Sequence, residues 1–374
     1  MTPAHENWLA LHLVERVGGK TLRRLLDAFG DVEGVLAAAP EAISRRCGLH
    51  PELARRVARA REVDAFRLER RLVAEHGVRV IPMDDPAYPA RLHDVHLPPP
   101  LLYCKGQWPP PEGPWLAIVG TRGHTRYGEK TTRRIVAELA ALEPGAVIVS
   151  GLARGIDTEA HAQALDSGLY TVAVLGAGLT GIYPPENSAL AERIAGHGAL
   201  LSEFPMTARP LARNFPIRNR VIAGLADAVL VVEAGTRSGA LITASFALNY
   251  GRPALAVPGN LEQPASEGAN RLIQSGQGLL VQGGADVLAA LRGARRPRAA
   301  QLDWLQPAAE APPRPVVREG EKGRILECLA RGALHPDDLA GETGLPIERL
   351  IALLLELELS GEIYQTTENQ YALA

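Results

Sequence analysis

The sequence predicts a mixed α/β protein built on a doubly wound parallel sheet, with a small helical domain before it and a winged-helix-like domain after it. Between residues 115 and 292, helical patterns separate seven short apolar runs: LAIVGTR, AVIVSG, YTVAVLGAG, ALLSEF, AVLVVEAG, PALAVPG and GLLVQGG. These runs lack polar alternation, which is typical of strands that helices cover on both faces. Helical periodicity at both ends of the chain indicates the two flanking domains.

Residues 1–80 are predicted to form the helical domain. Apolar residues recur at helical spacing in LALHLVERV and TLRRLLDAF, and a Gly18-Gly19 pair separates these two segments. The pattern is like that of a helix-hairpin-helix, in which the turn presents backbone amides to a phosphate of duplex DNA, and Lys20, Arg23 and Arg24 add positive charge. The alternative is that the two glycines only end one helix and begin the next.

Two proline-rich stretches separate the predicted domains. The first, residues 81–114, is expected to be an ordered connector that leans on the sheet, because prolines at this density break helices. The second, residues 293–318, is rich in Pro, Ala and Arg and is predicted to be a linker. The core is therefore predicted to span residues 115–292.

Residues 319–374 contain three helical patterns and two extended pieces, the arrangement of a winged helix. The third helix offers Arg349 as its basic residue, against Glu348, Glu356 and Glu358. This composition disfavours reading of duplex DNA and favours contact with a protein. With 11 acidic and 4 basic residues the segment carries −7 of an overall −2, so any polyanion is expected to meet the first 318 residues, which carry +5.

The composition is that of a folded protein outside the membrane. The 374 residues are 46% hydrophobic and include no run of about 18 apolar residues, and the acidic start does not resemble a secretion signal. We therefore expect the chain in the cytosol. Cys47, Cys104 and Cys328 are far apart and show no CxxC spacing, so they are predicted to be small core residues rather than zinc ligands or disulfide partners.

Residues that follow the predicted strands point to a phosphate-bearing ligand. Ligands of open parallel sheets bind beyond the carboxyl ends of the strands. Here the ends read VGTR (119–122), SGLARGID (150–157), LGAGLTGIYPPEN (175–187), SEFP (202–205) and EAGTRSGALIT (233–243). Glycines allow close backbone approach, helix N-terminal amides and hydroxyls donate to oxyanions, and Arg122, Arg154 and Arg237 can neutralise phosphate.

The same strand ends disfavour a dinucleotide or ATP. The first turn, VGTRGHTRYG, lacks the GxGxxG spacing, and no Walker loop is present. His161 lies four residues after Asp157 on one helical face, so a structural hydrogen bond between them is expected rather than catalysis. Glu233 ends a strand and is the acid that best fits a catalytic role, although capping of the turn that follows is the preferred interpretation.

Between SEFP and the GTRSG turn lies a cluster of Arg209, Arg213, Arg218 and Arg220 with Asn214, Asn219 and Phe215. Cations that follow a phosphate backbone and a ring that stacks on any base are what single-strand binding requires. The alternative is that Phe215 belongs to the core and the arginines solvate the start of a helix. Spacing alone leaves both interpretations open.

These motifs, in order and over residues 115–285, closely resemble the DprA/Smf family of DNA-processing proteins. The resemblance rests on VGTR, SGLARGIDTEAHAQAL, VLGAGLTGIYPPEN, LLSEFP, FPIRNRVIAGLADAVLVVEAGTRSGALITA and AVPGNLEQPASEGANRLIQSG. It implies an extended Rossmann-like core, an N-terminal domain like a sterile-alpha-motif or helix-hairpin-helix fold, and a winged-helix-like C-terminal domain.

The resemblance also implies a function without turnover, cofactor or metal. Family members bind and protect single-stranded DNA, load RecA onto strands covered by single-strand binding protein in transformation and repair, and dimerise through the core. The implied DNA contacts are Gly120, Thr121, Arg122, Gly151, Arg154, Gly155, Arg213, Asn214, Phe215, Arg218, Asn219, Arg220, Thr236, Ser238, Gly239 and Thr243. Within GTRSGALITA, the hydroxyls and helix amides are expected to hold a DNA phosphate.

Two positions depart from the family pattern. Family members often carry a lysine within YPxxN and another three residues before the phenylalanine, where this chain has Pro185 and Ala212. Arg213 is the predicted substitute for the second lysine. The loss of the first predicts a different strand path or weaker affinity.

Two other classes of function remain as alternatives. The core is similar to that of lysine-decarboxylase-like proteins that cleave nucleoside monophosphates at the glycosidic bond. Their PGGxGTxxE motif would lie at VEAGTRSGALI, where the glycine pair and the catalytic glutamate are missing. A pure interaction scaffold would be favoured only if the arginines were mutually paired.

Overall fold

The computed structural model describes residues 1–95, 97–294, 320–359, 362–365 and 370–373. The central feature is a nine-stranded sheet whose strands are β1 (Arg79–Pro82), β2 (Leu101–Gly106), β3 (Trp115–Val119), β4 (Val147–Ser150), β5 (Tyr170–Leu175), β6 (Ala199–Ser202), β7 (Ala228–Val231), β8 (Ala254–Ala256) and β9 (Gly278–Leu280). The sheet order is β1-β2-β6-β5-β4-β3-β7-β8-β9. All seven strands predicted between residues 115 and 292 are confirmed.

The seven strands β3 to β9, which are neighbours in the order β6-β5-β4-β3-β7-β8-β9, run parallel to one another, as the apolar runs predict. Their connections are the helices α7 (Arg126–Leu142), α8 (Ile156–Asp166), α9 (Ser188–His197), α10 (Asn214–Leu225), α11 (Gly239–Asn249) and α12 (Glu267–Gln274), and α13 (Gly284–Ala294) follows β9. In β3, Leu116 and Ile118 join one core cluster while Ala117 and Val119 join another. Helices therefore cover both faces of the sheet, which confirms the doubly wound α/β class.

Strand β2 lies inside the predicted connector at residues 81–114, and β1 spans the start of that stretch. Strand β2 pairs antiparallel with β6, and β1 pairs antiparallel with β2 at the edge of the sheet. Prolines interrupt the hydrophobic pattern around the apolar run LLYCKG, so periodicity does not predict a strand there. An edge strand such as β1 tolerates Pro82 at its end. Residues 79–106 thus extend the sheet, and the boundaries at residues 80 and 114 stay predictions.

Six helices precede the sheet: α1 (Pro3–His12), α2 (Gly19–Phe29), α3 (Val32–Ala37), α4 (Pro40–Cys47), α5 (Pro51–Ala58) and α6 (Asp64–Glu75). They share a core cluster with β2, β5 and α9. In this interface the buried Glu69 carboxylate accepts a hydrogen bond of 2.7 Å from the Met206 amide, and burial raises the pKa of Glu69. All three cysteines are buried and free, as predicted.

The C-terminal segment forms the predicted winged-helix arrangement from α14 (Glu321–Leu329), α15 (Pro336–Thr343), α16 (Ile347–Leu359), β10 (Ile363–Gln365) and β11 (Tyr371–Leu373). The predicted linker at 293–318 lies outside the described residues apart from its first two positions. Helix α16 packs against α11, where Ala352 and Leu355 join the same apolar cluster as Phe246. Arg349 donates to Asn249 and to Glu321, so the basic residue of this helix is engaged within the chain.

A Leu355→Asp variant is expected to release the C-terminal domain from the core. A carboxylate buried against α11 costs roughly 2–3 kcal/mol, whereas the domain's own cluster, with Leu350, Leu353 and Leu354, is left intact. Hydrogen exchange should accelerate in α11 and remain slow in α14. Tyr364→Asp, at a side chain that is 51% exposed, is the control, and unchanged exchange in α11 would contradict the packing role of Leu355.

Candidate nucleic-acid interface

A large open cavity lies at the carboxyl edge of the sheet. Its volume is about 890 Å³, and its walls come from the ends of β3 and β7 and the first turns of α8, α10 and α11. We call it the main cavity. A narrow recess opens beside it over the ends of β4 and β5, and Arg122, Tyr183, Phe215 and Arg218 line both.

Twelve of the sixteen residues predicted to contact DNA line these two spaces. The main cavity is lined by Gly120, Thr121, Arg122, Phe215, Arg218, Asn219, Thr236, Ser238, Gly239 and Thr243. The recess adds Gly151 and Arg154. Residues scattered over more than 120 positions of the chain thus meet at one edge, because the strand ends of a parallel sheet lie side by side.

The Phe215 ring lies at the centre of this group and is partly exposed. The guanidinium carbon of Arg122 is 5.2 Å from the ring centroid, and that of Arg218 is 5.8 Å from it. The Tyr183 ring is 5.8 Å away, centroid to centroid, at an angle of 44°. Two rings and two cations therefore form a surface that can stack on a flat, electron-rich base and pair with its phosphates.

Arg218 is buried, contrary to the interpretation that the arginines only solvate a helix start. Its Nη1 donates to the carbonyl oxygens of Gly151 and Val174, and its Nε donates to Asn219 Oδ1 over 3.2 Å. Burial lowers the pKa of Arg218 to about 10, although the nearby Asp157 carboxylate opposes the shift. The side chain is still charged at neutral pH, so it places a fixed positive charge in the wall of the main cavity.

The turn after β4 is shaped around this guanidinium. A side chain on Gly151 would place its Cβ 2.1 Å from Arg218 Nη1. Asp157 accepts hydrogen bonds from the Gly151 and Ala153 amides, at 3.1 and 3.4 Å, and burial raises its pKa while the charge of Arg218 lowers it. Asn187 of the YPPEN motif donates to the Leu152 carbonyl over 2.9 Å. Hydrogen bonds with Asp157 and Asn187 therefore fix the turn after β4.

Arg154 reaches the solvent-exposed rim of the recess and forms an ion pair with Glu186. Glu186 follows Pro185, the position where the family often has lysine. In this chain an acid thus lies against a predicted DNA contact. The pair raises the pKa of Arg154 and lowers that of Glu186, with their mutual hydrogen bond as the main cause.

The GTRSG turn forms another part of the wall of the main cavity. The Ser238 hydroxyl accepts a hydrogen bond of 3.3 Å from the Ala240 amide and so caps α11. Asn219 Nδ2 donates to the Gly239 carbonyl over 3.2 Å, which ties the start of α11 to α10. Thr236, Ser238 and Thr243 all line the main cavity, and the phosphate site at this turn stays a prediction.

Four predicted contacts do not line the main cavity or the recess. Gly155 is the residue that precedes α8. Asn214 is buried and donates to the Arg209 carbonyl over 3.1 Å. Arg220 is also buried, paired with the Glu203 carboxylate and donating to the Leu97 carbonyl over 2.7 Å. The structure gives these residues positions that stabilise the fold.

Arg213 is the fourth, and it lies on the exposed surface beside the C-terminal domain. Burial raises the pKa of Glu358 in α16, while the amide of Gln365 and the charge of Arg213 oppose the rise. Arg213 therefore faces an acidic helix as well as solvent. Its role as a substitute for the family lysine stays a prediction.

Two further predictions about acid and base groups are corrected. His161 Nδ1 bonds to the Thr171 hydroxyl over 2.7 Å rather than to Asp157, and burial lowers the pKa of the imidazole to about 3. Glu233 does not cap the turn after β7. Its carboxylate accepts hydrogen bonds from the amide, at 2.8 Å, and the hydroxyl of Thr125, and so anchors the start of α7. Both side chains make hydrogen bonds that stabilise the fold.

Tyr183 and Asp157 lie at the site although the sequence does not predict them as site residues. Tyr183 is 40% exposed and lines both spaces, and Asp157 lines the main cavity beside Arg218. The sequence feature that could have indicated Tyr183 is its position in the GIYPPEN segment, which follows the end of a predicted strand. Nothing in the sequence showed that this ring would lie next to Phe215.

Within the described parts of the chain, no group of three or more His, Cys, Asp and Glu side chains is arranged to hold a metal ion. Among those same residues, no helix combines the length and the apolar character needed to cross a bilayer.

Comparison with known proteins matches two family models to this chain. Residues 79–292 match the model described as DNA recombination-mediator protein A, and residues 307–368 match the DprA winged helix domain. The Smf protein of Synechocystis is 34% identical over 97% of this chain and 97% of its own length. The similarity thus includes the sheet, the helices before it and the C-terminal segment.

Two solved structures share the architecture. The DNA processing protein A of Streptococcus pneumoniae aligns with a TM-score of 0.67 and 33% identity, over 77% of this chain and 98% of that one. The Helicobacter pylori protein aligns with a TM-score of 0.52 and 31% identity, over 58% and 96%. The latter structure is described as giving insight into a single-stranded DNA binding mode.

A Gly155→Ala variant is expected to lower the free energy of unfolding by about 2 kcal/mol or more. Gly155 has φ of +78°, and its added Cβ would lie 2.2 Å from the Thr121 carbonyl oxygen. Urea denaturation of the two proteins measures the difference. Gly123→Ala is the matched control, since open space surrounds Gly123, and equal stability of both variants would contradict the constraint.

Proposed function

Since the chain belongs to the DNA recombination-mediator protein A family, we propose that it binds single-stranded DNA along the carboxyl edge of its sheet and passes the strand to RecA. The observation that carries the proposal is the partly exposed Phe215 ring, whose centroid lies 5.2 and 5.8 Å from the guanidinium carbons of Arg122 and Arg218. The single-stranded DNA named for the Helicobacter pylori relative is the same class of ligand.

The geometry favours a single strand over a duplex because the bases must be free to stack. Phe215 and Tyr183 offer their faces to bases of any identity, and Arg122 and Arg218 lie close enough to neutralise the adjoining phosphates. The GTRSG turn adds hydroxyls and the start of α11 to the wall of the main cavity. Binding of this kind protects a strand without regard to its sequence.

The proposed role requires no turnover and no cofactor. Asp157, the buried carboxylate in the cavity wall, accepts hydrogen bonds from two backbone amides and faces the charge of Arg218. Glu233, the strand-end acid that best fits a catalytic role, is 1% exposed and bonded to Thr125. Neither is free to act as a general acid or base, which argues against the hydrolase alternative.

The remaining partners follow from the proposed role. RecA would receive the strand in the cytosol, single-strand binding protein would be displaced from it, and a homodimer formed through the core would offer two such edges. The same activity serves natural transformation and recombinational repair. The acidic C-terminal domain fits a protein partner, and the positively charged N-terminal turn could contact duplex DNA.

Phe215→Ala and Arg122→Glu are each expected to weaken binding of a fluorescent single strand by about tenfold or more, through loss of stacking and of phosphate pairing. Fluorescence anisotropy at several salt concentrations measures the affinity. If four or five phosphates are neutralised, the slope of log affinity against log salt for the unaltered protein should be about −3.

Two controls separate site effects from general ones. Phe215→Tyr keeps a stacking ring and should keep the affinity. Arg193→Glu reverses an exposed charge that pairs with Asp166 at the far end of α8, and it should have little effect. Full binding by both Phe215→Ala and Arg122→Glu would refute the proposed site.

A Glu186→Gln variant is expected to bind single strands about two- to fivefold more tightly, because it frees Arg154 from its ion pair. The gain should vanish at high salt. Glu192→Gln makes the same charge change at an exposed position on α9 and serves as the matched control. If both variants gain equally, the effect is one of net charge, and Arg154 is not the contact.

A further inference from the structure

A second cavity lies on the same sheet edge, outside the site that the family motifs identify. Its volume is about 520 Å³, and Arg126, Tyr127, Glu233, Asn260 and Gln263 contribute to its wall. We call it the β8 cavity, because it lies over the ends of β7 and β8. Pro264 and Glu267 line the main cavity, while Gln263 and Ser266 of the same short segment line the β8 cavity. The segment from Gln263 to Glu267 therefore contributes to the walls of both cavities.

The β8 cavity presents an exposed aromatic ring in a fixed position. Tyr127 is 48% exposed, and its hydroxyl donates to the Pro258 carbonyl over 2.7 Å. A ring that is anchored by its hydroxyl and about half exposed loses little conformational entropy when a base stacks on it. Arg126 lies beside it on the exposed surface.

The chemistry of the wall suits a base better than a phosphate. The Glu233 carboxylate is buried and held by Thr125, so its charge repels an anion that enters deeply. The amide side chains of Asn260 and Gln263 are exposed and can both donate to and accept from the edge of a base. A base would thus enter while its phosphate stays outside, near Arg126.

We propose that the β8 cavity is a second base-binding station on the path of the single strand, with Tyr127 as its stacking ring. The proposal rests on the proposed function of the main cavity. Phe215 lies against Gly176 at the end of β5, and Tyr127 is bonded beyond the end of β8. Between them the sheet order is β5-β4-β3-β7-β8, four strand spacings or about 19 Å.

This separation sets the length of DNA that can use both stations. At the rise of 3.4 Å per nucleotide of a stacked strand, 19 Å corresponds to about five or six nucleotides, and to fewer in a stretched strand. A strand of about three stacked nucleotides spans only about 10 Å and can occupy one station alone. Arg122, Arg218 and Arg237 line the main cavity and supply positive charge to the proposed path of the strand.

The test compares Tyr127→Ala with the unaltered protein on thymidylate strands of about three and about ten nucleotides. Anisotropy competition should show an affinity loss of about tenfold for the long strand and no loss for the short one, which binds at the main cavity. Tyr127→Phe keeps the ring and removes the hydroxyl, so its affinities should stay near those of the unaltered protein. Tyr364→Ala, at an equally exposed tyrosine in the C-terminal hairpin, should change neither affinity.

The outcomes distinguish this inference from the proposed function. An equal loss on both strands, or a loss with Tyr127→Phe as large as that with Tyr127→Ala, would assign Tyr127 a structural role and overturn the second station. Full affinity of Tyr127→Ala for the long strand would overturn it too, and if Phe215→Ala still weakens both strands the main site stands. Absence of binding by the unaltered protein, or full binding by both Phe215→Ala and Arg122→Glu, would refute the proposed function.

Discussion

The buried guanidinium of Arg218 is the constraint around which the carboxyl edge of the sheet is organised. A charge removed from water must be matched by acceptors, and here the carbonyls of Gly151 and Val174 and the charge of Asp157 match it. Those carbonyls belong to the ends of neighbouring strands, so one side chain joins β4, β5 and α10. Phe215 lies three residues earlier on the same helix, and its placement depends on this anchor.

The same interaction explains why so many glycines occur at this edge. A guanidinium that bonds directly to strand-end carbonyls leaves no room for a Cβ on Gly151, and the turn that wraps around Asp157 needs the positive φ of Gly155. A family motif such as SGLARGID is therefore chiefly a set of packing requirements. Arg154 is the member that reaches solvent, and it does so beside an acid, Glu186.

The flanking domains contact the site in different ways. The N-terminal helices are fixed to the loop after β6 by the buried Glu69, whereas the C-terminal domain packs on α11, the helix whose first turn forms one wall of the main cavity. Acidic side chains of α16 are thereby brought beside the edge, with Glu358 near Arg213. A partner that binds the C-terminal domain would consequently act close to the DNA path that we propose.

The sequence by itself determined the strand order along the chain, the doubly wound class and most of the cavity wall, because hydrophobic period and strand-end composition are local properties. The sequence did not predict strand β2, because its apolar run is short and flanked by prolines. It also did not show that Arg218 and Arg220 have different environments. Both are buried, but one lies in the cavity wall and the other is paired with Glu203 behind it. Only the tertiary structure decided such differences, since the direction of a side chain depends on partners that are distant in sequence.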